Sequence, residues 1–172
     1  NNYAFGEFDS NGWSAYWNSL ELATWTAVIG TVVIFIGAYL LEKTRAFTWG
    51  RTLAQFMAML PMAVPGLVLG LGYIFFFNEP NNPLNFLYHT MTLLTLCTIV
   101  HFYTTGHLTA VTALKALDGE FEAVSASLKV PFYKTFWRVT LPISTPALVD
   151  IARYFFINAM TTISAVVFLY SP

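Results

Sequence analysis

Side chains able to do chemistry are few in this chain of 172 residues, and their spacing argues against catalysis. His89, His101 and His107 fall on one stretch, Cys97 stands alone, and Asp150 and Arg153 lie three apart. On a helix of 3.6 residues per turn, His101 and His107 are offset by about 120°, so the imidazoles do not converge as metal ligands must. A single cysteine excludes a disulfide within the chain and reads as a small buried residue. The Ser and His residues form no base–nucleophile–orienter set, and no G-x-x-x-x-G-K-[ST] phosphate loop is present. The residues call for no catalytic group, no metal and no cofactor; energy must come from a partner.

Two polar clusters stand out instead. Asp118 can cap a helix opening at Gly119, with Glu120 and Glu122 in its first turns, where negative charge suits the helix dipole. Phe121, Val124 and Leu128 recur at three- and four-residue steps and share a face, while Ala123, Ser125, Ala126 and Ser127 allow close approach. Pro131 restricts Val130 and ends this helix near Lys129. Such a helix can lie along membrane headgroups or dock in a groove on a soluble partner, and both readings stay open on the residues alone. A second short run, Phe132 to Val139, sets Phe132, Phe136 and Trp137 beside Lys134 and Arg138. The other cluster is Asp150 with Arg153. Either this pair marks the cytoplasmic edge of a span, with Arg153 snorkelling outward, or it lines a path for solute.

The elements that must position these residues are membrane helices. Hydrophobic types make up 56% of the chain and charged types 10%, with a mean hydropathy of +0.59. A soluble domain carries about 25% charged residues. The composition therefore excludes an ordinary soluble enzyme, a disordered chain and a nucleic-acid binder, and predicts an all-α protein of the lipid bilayer. Four stretches supply the roughly 20 apolar residues that a crossing needs: about 17–41, 53–77, 86–110 and 143–169. Seven of the eight Lys and Arg residues fall in 42–52 and 111–140. By the positive-inside rule these segments face the cytoplasm, while 1–16 and 78–85 face outward. In the second stretch, Pro61 and Pro65 stand four apart, with Gly66, Gly70 and Gly72 just beyond. That pattern fits a kinked helix that another helix approaches closely, or a broken helix lining a translocation path. Pro61, Pro65, Gly66 and Gly70 join Asp150 and Arg153 as path candidates. The abrupt ends, Asn1 and Pro172, suggest a fragment of a longer polypeptide.

Glu122-Ala123 through Leu141-Pro142, and above all Phe136-Trp137-Arg138-Val139-Thr140-Leu141-Pro142, resemble the cytoplasmic signature of inner-membrane permeases of ATP-binding-cassette importers. Leu60-Pro61 and Val64-Pro65-Gly66-Leu67-Val68-Leu69-Gly70 resemble a core helix of that family, and Asn18 to Ala23 resembles the opening of its transmembrane domain. The resemblance covers residues 16–172 and implies a type I importer transmembrane domain. It implies a multi-pass permease of the bacterial inner membrane, with its domain at 17–172 and its cytoplasmic coupling segment at 111–140. It further implies two cytoplasmic ATPase subunits, an extracytoplasmic solute-binding protein, and a second permease half or subunit. Under it, Asp118, Glu120, Phe121, Glu122, Ala123, Val124, Ser127, Leu128 and Lys129 couple to the ATPase. Two positions depart from the signature. Its acidic residue falls at Ala123, one place after Glu122, and its glycine falls at Lys129, which is expected to take ordinary turn angles while Pro131 sets the bend. Ser125–Thr140 and Asn158–Leu169 look most like permeases for 2-aminoethylphosphonate, with ferric-iron permeases as close relatives and polyamine or thiamine as further solutes. A membrane enzyme would need polar groups gathered at one depth, and an assembly protein would not need the Pro/Gly-interrupted stretch.

Overall fold

A computed structural model describes residues 10–43, 48–117 and 120–161. All regular structure among them is helical. The order is α1 (Ser10–Lys43), α2 (Thr48–Ala63), α3 (Gly66–Phe77), α4 (Met91–Ala116), α5 (Glu120–Ser127), α6 (Phe132–Thr135), α7 (Leu141–Ile143) and α8 (Thr145–Thr161). A 3-10 turn at Asn85–Leu87 precedes α4, and a π-helical turn at Phe136–Thr140 joins α6 to α7.

The middle of α1 shows why the bundle forms. Thr26, Ala27, Gly30, Thr31, Ile34, Phe35 and Ala38 recur at three- and four-residue steps, and all are buried. The opposite face, Val28, Ile29, Val32, Val33 and Ile36, is equally apolar yet exposed. A helix that is apolar all round suits lipid rather than water. Lipid offers little hydrophobic gain for helix association, so close packing through small residues must hold such helices together. Gly30 and Gly106 supply it. A Cβ on Gly30 would lie 3.3 Å from Phe155 Cε2 and 3.4 Å from Ile99 Cγ1. One on Gly106 would lie 2.8 Å from Ile34 Cδ1 and 3.1 Å from Phe155 Cε2. The ring of Phe155 is thus the point where α1, α4 and α8 meet, with Ile34, Leu114 and Ile151 fully buried around it.

The order of contacts sets the directions. Glu21 and Trp25 share a groove with Met91 and Thr92, Gly30 meets Ile99, and Ile34 meets Gly106, so α1 and α4 run parallel. Phe155 meets Gly30, whereas Phe136, on the approach to α8, packs on Phe35 and Tyr39 at ring-centroid distances of 6.2 and 4.8 Å. Hence α8 runs against α1. The α2–α3 stretch runs against α4: Ala58 pairs with Thr104, and Leu69 and Tyr73 pack with Leu93 and Cys97. Arg51 closes the α1–α2 end by an ion pair with Glu42 at 3.1 Å.

Four spans were expected, the second of them kinked or broken at its prolines; that break is present, but fewer than four of the described helices qualify as spans by themselves. Among the described residues one helix, Tyr16–Glu42, is long and apolar enough to cross a membrane by itself; α2 with α3 makes a second only if the bent pair counts as one. The 53–77 stretch is two helices whose axes turn by 107° at Val64-Pro65. The third stretch appears as α4, whose apolar character is diluted by seven threonines and two histidines. The fourth starts at Thr145 rather than Ile143 and is described to Thr161. The first starts earlier than residue 17, at Ser10.

Candidate functional site

A helix is present where the coupling segment was expected, α5, and it lies outside the bundle. Its face of Phe121, Val124 and Leu128 is 50%, 57% and 70% exposed, far too open for residues that a membrane-buried core would have claimed. Ala123 and Ser127 are exposed as well, and the Ser127 hydroxyl donates back to the Ala123 carbonyl at 2.9 Å, leaving that side of α5 smooth. Asp118 lies outside the described residues; Glu120 and Glu122 lie within α5, of whose carboxylates nothing is described.

The end of α5 corrects one expectation. Lys129 has φ 52°, the left-handed conformation, rather than ordinary turn angles. The Lys129 amide donates to the Ala126 carbonyl at 3.0 Å and the Val130 amide to the Ser125 carbonyl at 2.9 Å. These paired bonds form a Schellman cap, with Lys129 at the position that glycine usually occupies. The bend is therefore set at Lys129, and Pro131, extended at φ −64° and ψ 141°, opens α6 just beyond it. A hydrogen bond between the Ser125 and Thr135 hydroxyls pins α5 to α6. Phe136 then anchors the segment on Phe35 and Tyr39 of α1. Sequence reasoning missed both devices; the aromatic next to a tryptophan in a basic run was the available signal for the anchor.

The path candidates form two separate groups. Pro61 lies inside α2, Pro65 caps α3, Gly66 begins it, and Gly70 is its buried residue. Pro61 has no amide to offer the carbonyl of Met57. One residue on, the Ala58 carbonyl accepts a buried hydrogen bond from Thr104 Oγ1 at 2.8 Å, so α4 braces the weakened turn. Asp150 and Arg153 pair with each other at 3.5 Å, with side chains 61% and 73% exposed on the outer face of α8. Since α2 and α3 pack on α4, and α8 packs on α1 and α4, this chain does not bring the two groups together. Exposed, mutually paired charge within an otherwise apolar helix fits a face that meets water or protein, not hydrocarbon.

The remaining polar residues are structural in placement. His107 is buried and stacks on Tyr103 with centroids 5.6 Å apart, His89 sits exposed in the loop before α4, and Cys97 is buried against α3. Among the described residues, no three His, Cys, Asp or Glu side chains gather as a metal site.

Comparison with known proteins gives this geometry a family. Residues 30–172 match the family described as binding-protein-dependent transport system inner membrane component. The chain is 34% identical over 172 residues to the ferric transport system permease protein FbpB of Actinobacillus pleuropneumoniae, covering 98% of this chain and 24% of that protein. It is also 34% identical over 171 residues to the ferric transport system permease protein FbpB 1 of Haemophilus influenzae, covering 98% of this chain and 26% of that protein. A 56-residue match at 36% identity links it to the ferric transport system permease-like protein AfuB of Escherichia coli, covering 33% of this chain and 47% of that protein. The chain thus spans about a quarter of the length of the two permeases it matches from end to end. The chain, whose first helix is apolar on both faces, belongs to the inner-membrane permease family of binding-protein-dependent ATP-binding-cassette importers.

Proposed function

We propose that this chain forms part of the translocation path of an ATP-driven importer of ferric iron. Ferric iron replaces the 2-aminoethylphosphonate expected from short segments, because relatives similar along 98% of the chain carry the name ferric transport system permease protein. The observation that carries the transport reading is the exposed apolar face of α5, set beyond the bundle and rigidly capped at Lys129. A cytoplasmic ATPase would cover that face and drive the path, and an extracytoplasmic binding protein would deliver the ion.

The four alternating elements support a four-span path despite the polarity of α4. Thr95, Thr98 and Thr109 donate to carbonyls one turn back at 2.9, 2.8 and 3.0 Å, and Thr104 donates to Ala58. Hydroxyls satisfied within the protein need no water, so such a helix can cross hydrocarbon that composition alone would deny it. With α1 and α4 parallel, and the α2–α3 pair and α8 opposed to them, the ends of α1 and α4 lie with the starts of α2 and α8, and the basic residues of the sequence concentrate in the stretches 42–52 and 111–140. That end is read as cytoplasmic. The domain at 17–172 then pairs with a second permease half or subunit, to which the Asp150–Arg153 face is available.

The test is reconstitution of the full-length permease with its ATPase and binding protein in proteoliposomes. Binding protein loaded with ferric ion should stimulate ATP hydrolysis and iron uptake. Stimulation by 2-aminoethylphosphonate instead, with none by ferric ion, would refute the assignment.

A further inference from the structure

We infer that the backbone of the elbow between α2 and α3 forms the wall of a water-filled recess in the solute path, at mid-depth in the membrane. This deepens the translocation reading and rests on it. Proline removes one amide at position 61 and another at 65, and the consequences run beyond those two residues. The Val64 amide turns back to the Pro61 carbonyl at 3.4 Å, and the Val68 and Leu69 amides both go to the Pro65 carbonyl, at 3.0 and 3.1 Å. Among the described residues, nothing then donates to the carbonyls of Met62, Ala63 and Val64, and the amides of Gly66 and Leu67 reach no acceptor. The end of α2 is left with three open acceptors and the start of α3 with two open donors. Met62, Ala63, Pro65 and Leu67 are exposed, so the described residues do not cover the elbow.

The elbow lies far from either end of the helix beside it. Ala58 stands against Thr104. Ala63 follows further along α2, about 8 Å nearer the start of α4, which leaves about 12 Å to the level of Met91 and about 25 Å to that of Ala116. Unpaired backbone groups at such depth are too costly to face hydrocarbon, and irregular backbone persists there only inside protein or beside water. A neighbouring helix pairs its own backbone, so it would have to bring a polar side chain to each open group. Water donates and accepts at the same place. The side chains around the elbow, Met62, Ala63, Val64 and Leu67, are apolar and uncharged, so the wall wets through its backbone alone. Such a wall can pass a hydrated solute without holding it, as a conducting path requires.

The test uses the full-length permease with its ATPase and binding protein in proteoliposomes, freed of native cysteines and given one cysteine at a time: Met62→Cys, Ala63→Cys or Val33→Cys. Val33 is the reference. It lies on the exposed apolar face of α1 and, since Gly30 meets Ile99, near the level of the elbow. A cationic methanethiosulfonate reagent should modify the two elbow thiols at least about tenfold faster than the reference, because it attacks only a thiol hydrated enough to ionise. Modification of Ala63→Cys should then abolish ferric uptake that the unmodified variant retains. Rates at both elbow positions no faster than at Val33→Cys would overturn the inference and assign the open groups to contact with another permease segment. Fast modification with uptake intact would place the water outside the path and overturn it as well. The rates are read without uptake. A hydrated elbow in a complex that ignores ferric ion from the start would uphold the recess and count against the ferric reading alone.

Discussion

Gly106 offers the sharpest test of how the bundle is held together. Replacing it with Ala puts a methyl 2.8 Å from Ile34 Cδ1 and 3.1 Å from Phe155 Cε2, both on fully buried side chains. Overpacking of this kind costs about 1–3 kcal/mol. The helix propensity of Ala over Gly returns about 1 kcal/mol of that. The expected net loss is about 1 kcal/mol and at most about 2. Gly72→Ala is the matched reference, since a Cβ there meets nothing within 4 Å and only the propensity gain remains. The decisive variant adds Ile34→Val, which deletes the Cδ1 atom that the new methyl strikes. Alone, Ile34→Val costs about 0.5–1.5 kcal/mol. Combined with Gly106→Ala, it should cost about 1 kcal/mol less than the sum of the two, because the cavity of one accepts the methyl of the other. Equilibrium unfolding of the full-length permease in mixed micelles supplies the four corners of the cycle. Strict additivity, or a Gly106→Ala penalty no larger than that of Gly72→Ala, would refute the three-helix contact.

Three further outcomes follow from other parts of the fold. Lys129→Gly should slow amide exchange in the last turn of α5, since a non-glycine residue in the left-handed region costs about 1–2 kcal/mol, whereas Lys129→Ile should speed it. Ala123→Trp, Ser127→Trp and Glu122→Lys should each leave the permease inserted but abolish co-purification of the ATPase and its response to loaded binding protein; wild-type values for all three would move the docking surface elsewhere. In a variant lacking Cys97, a cysteine at Asn81 should react with an impermeant thiol reagent in intact cells while cysteines at Thr48 and Ser127 stay unlabelled, and labelling of Ser127 would break the four-span path.

What the sequence made legible was local. The apolar stretch that forms α1, the interruption at Pro61–Gly66 and the short helix stopped before Pro131 each follow from residue pattern and from the stereochemistry of proline. What escaped it depends on residues far apart in the chain. Nothing in the sequence around Gly30 marks it out, and the structure places it at a helix crossing against Phe155. Lys129 looked free to take ordinary angles because nothing in its type demands φ 52°; the demand comes from the two amides that close the cap. The threonines of α4 lowered its apparent fitness for lipid because composition counts a hydroxyl as polar whether or not it already has an acceptor. Asp150 and Arg153 pair as their spacing suggested, yet their outward direction is set by Ile151, Phe155 and Ala159 turning inward.

The bond between Thr104 and Ala58 also bears on how the protein is made. Residues 53–77 contain no charge and leave the ribosome well before α4 does, so the insertion machinery first meets them as one continuous apolar segment. The atom that braces the bend lies 46 residues further along the chain. After the 107° turn, the legs are about 24 and 18 Å long, and neither reaches across about 30 Å of hydrocarbon by itself. The prolines weaken the segment from the start, whereas the hydrogen bond that braces it at Ala58 can form only once Thr104 has been synthesised and α4 packs alongside.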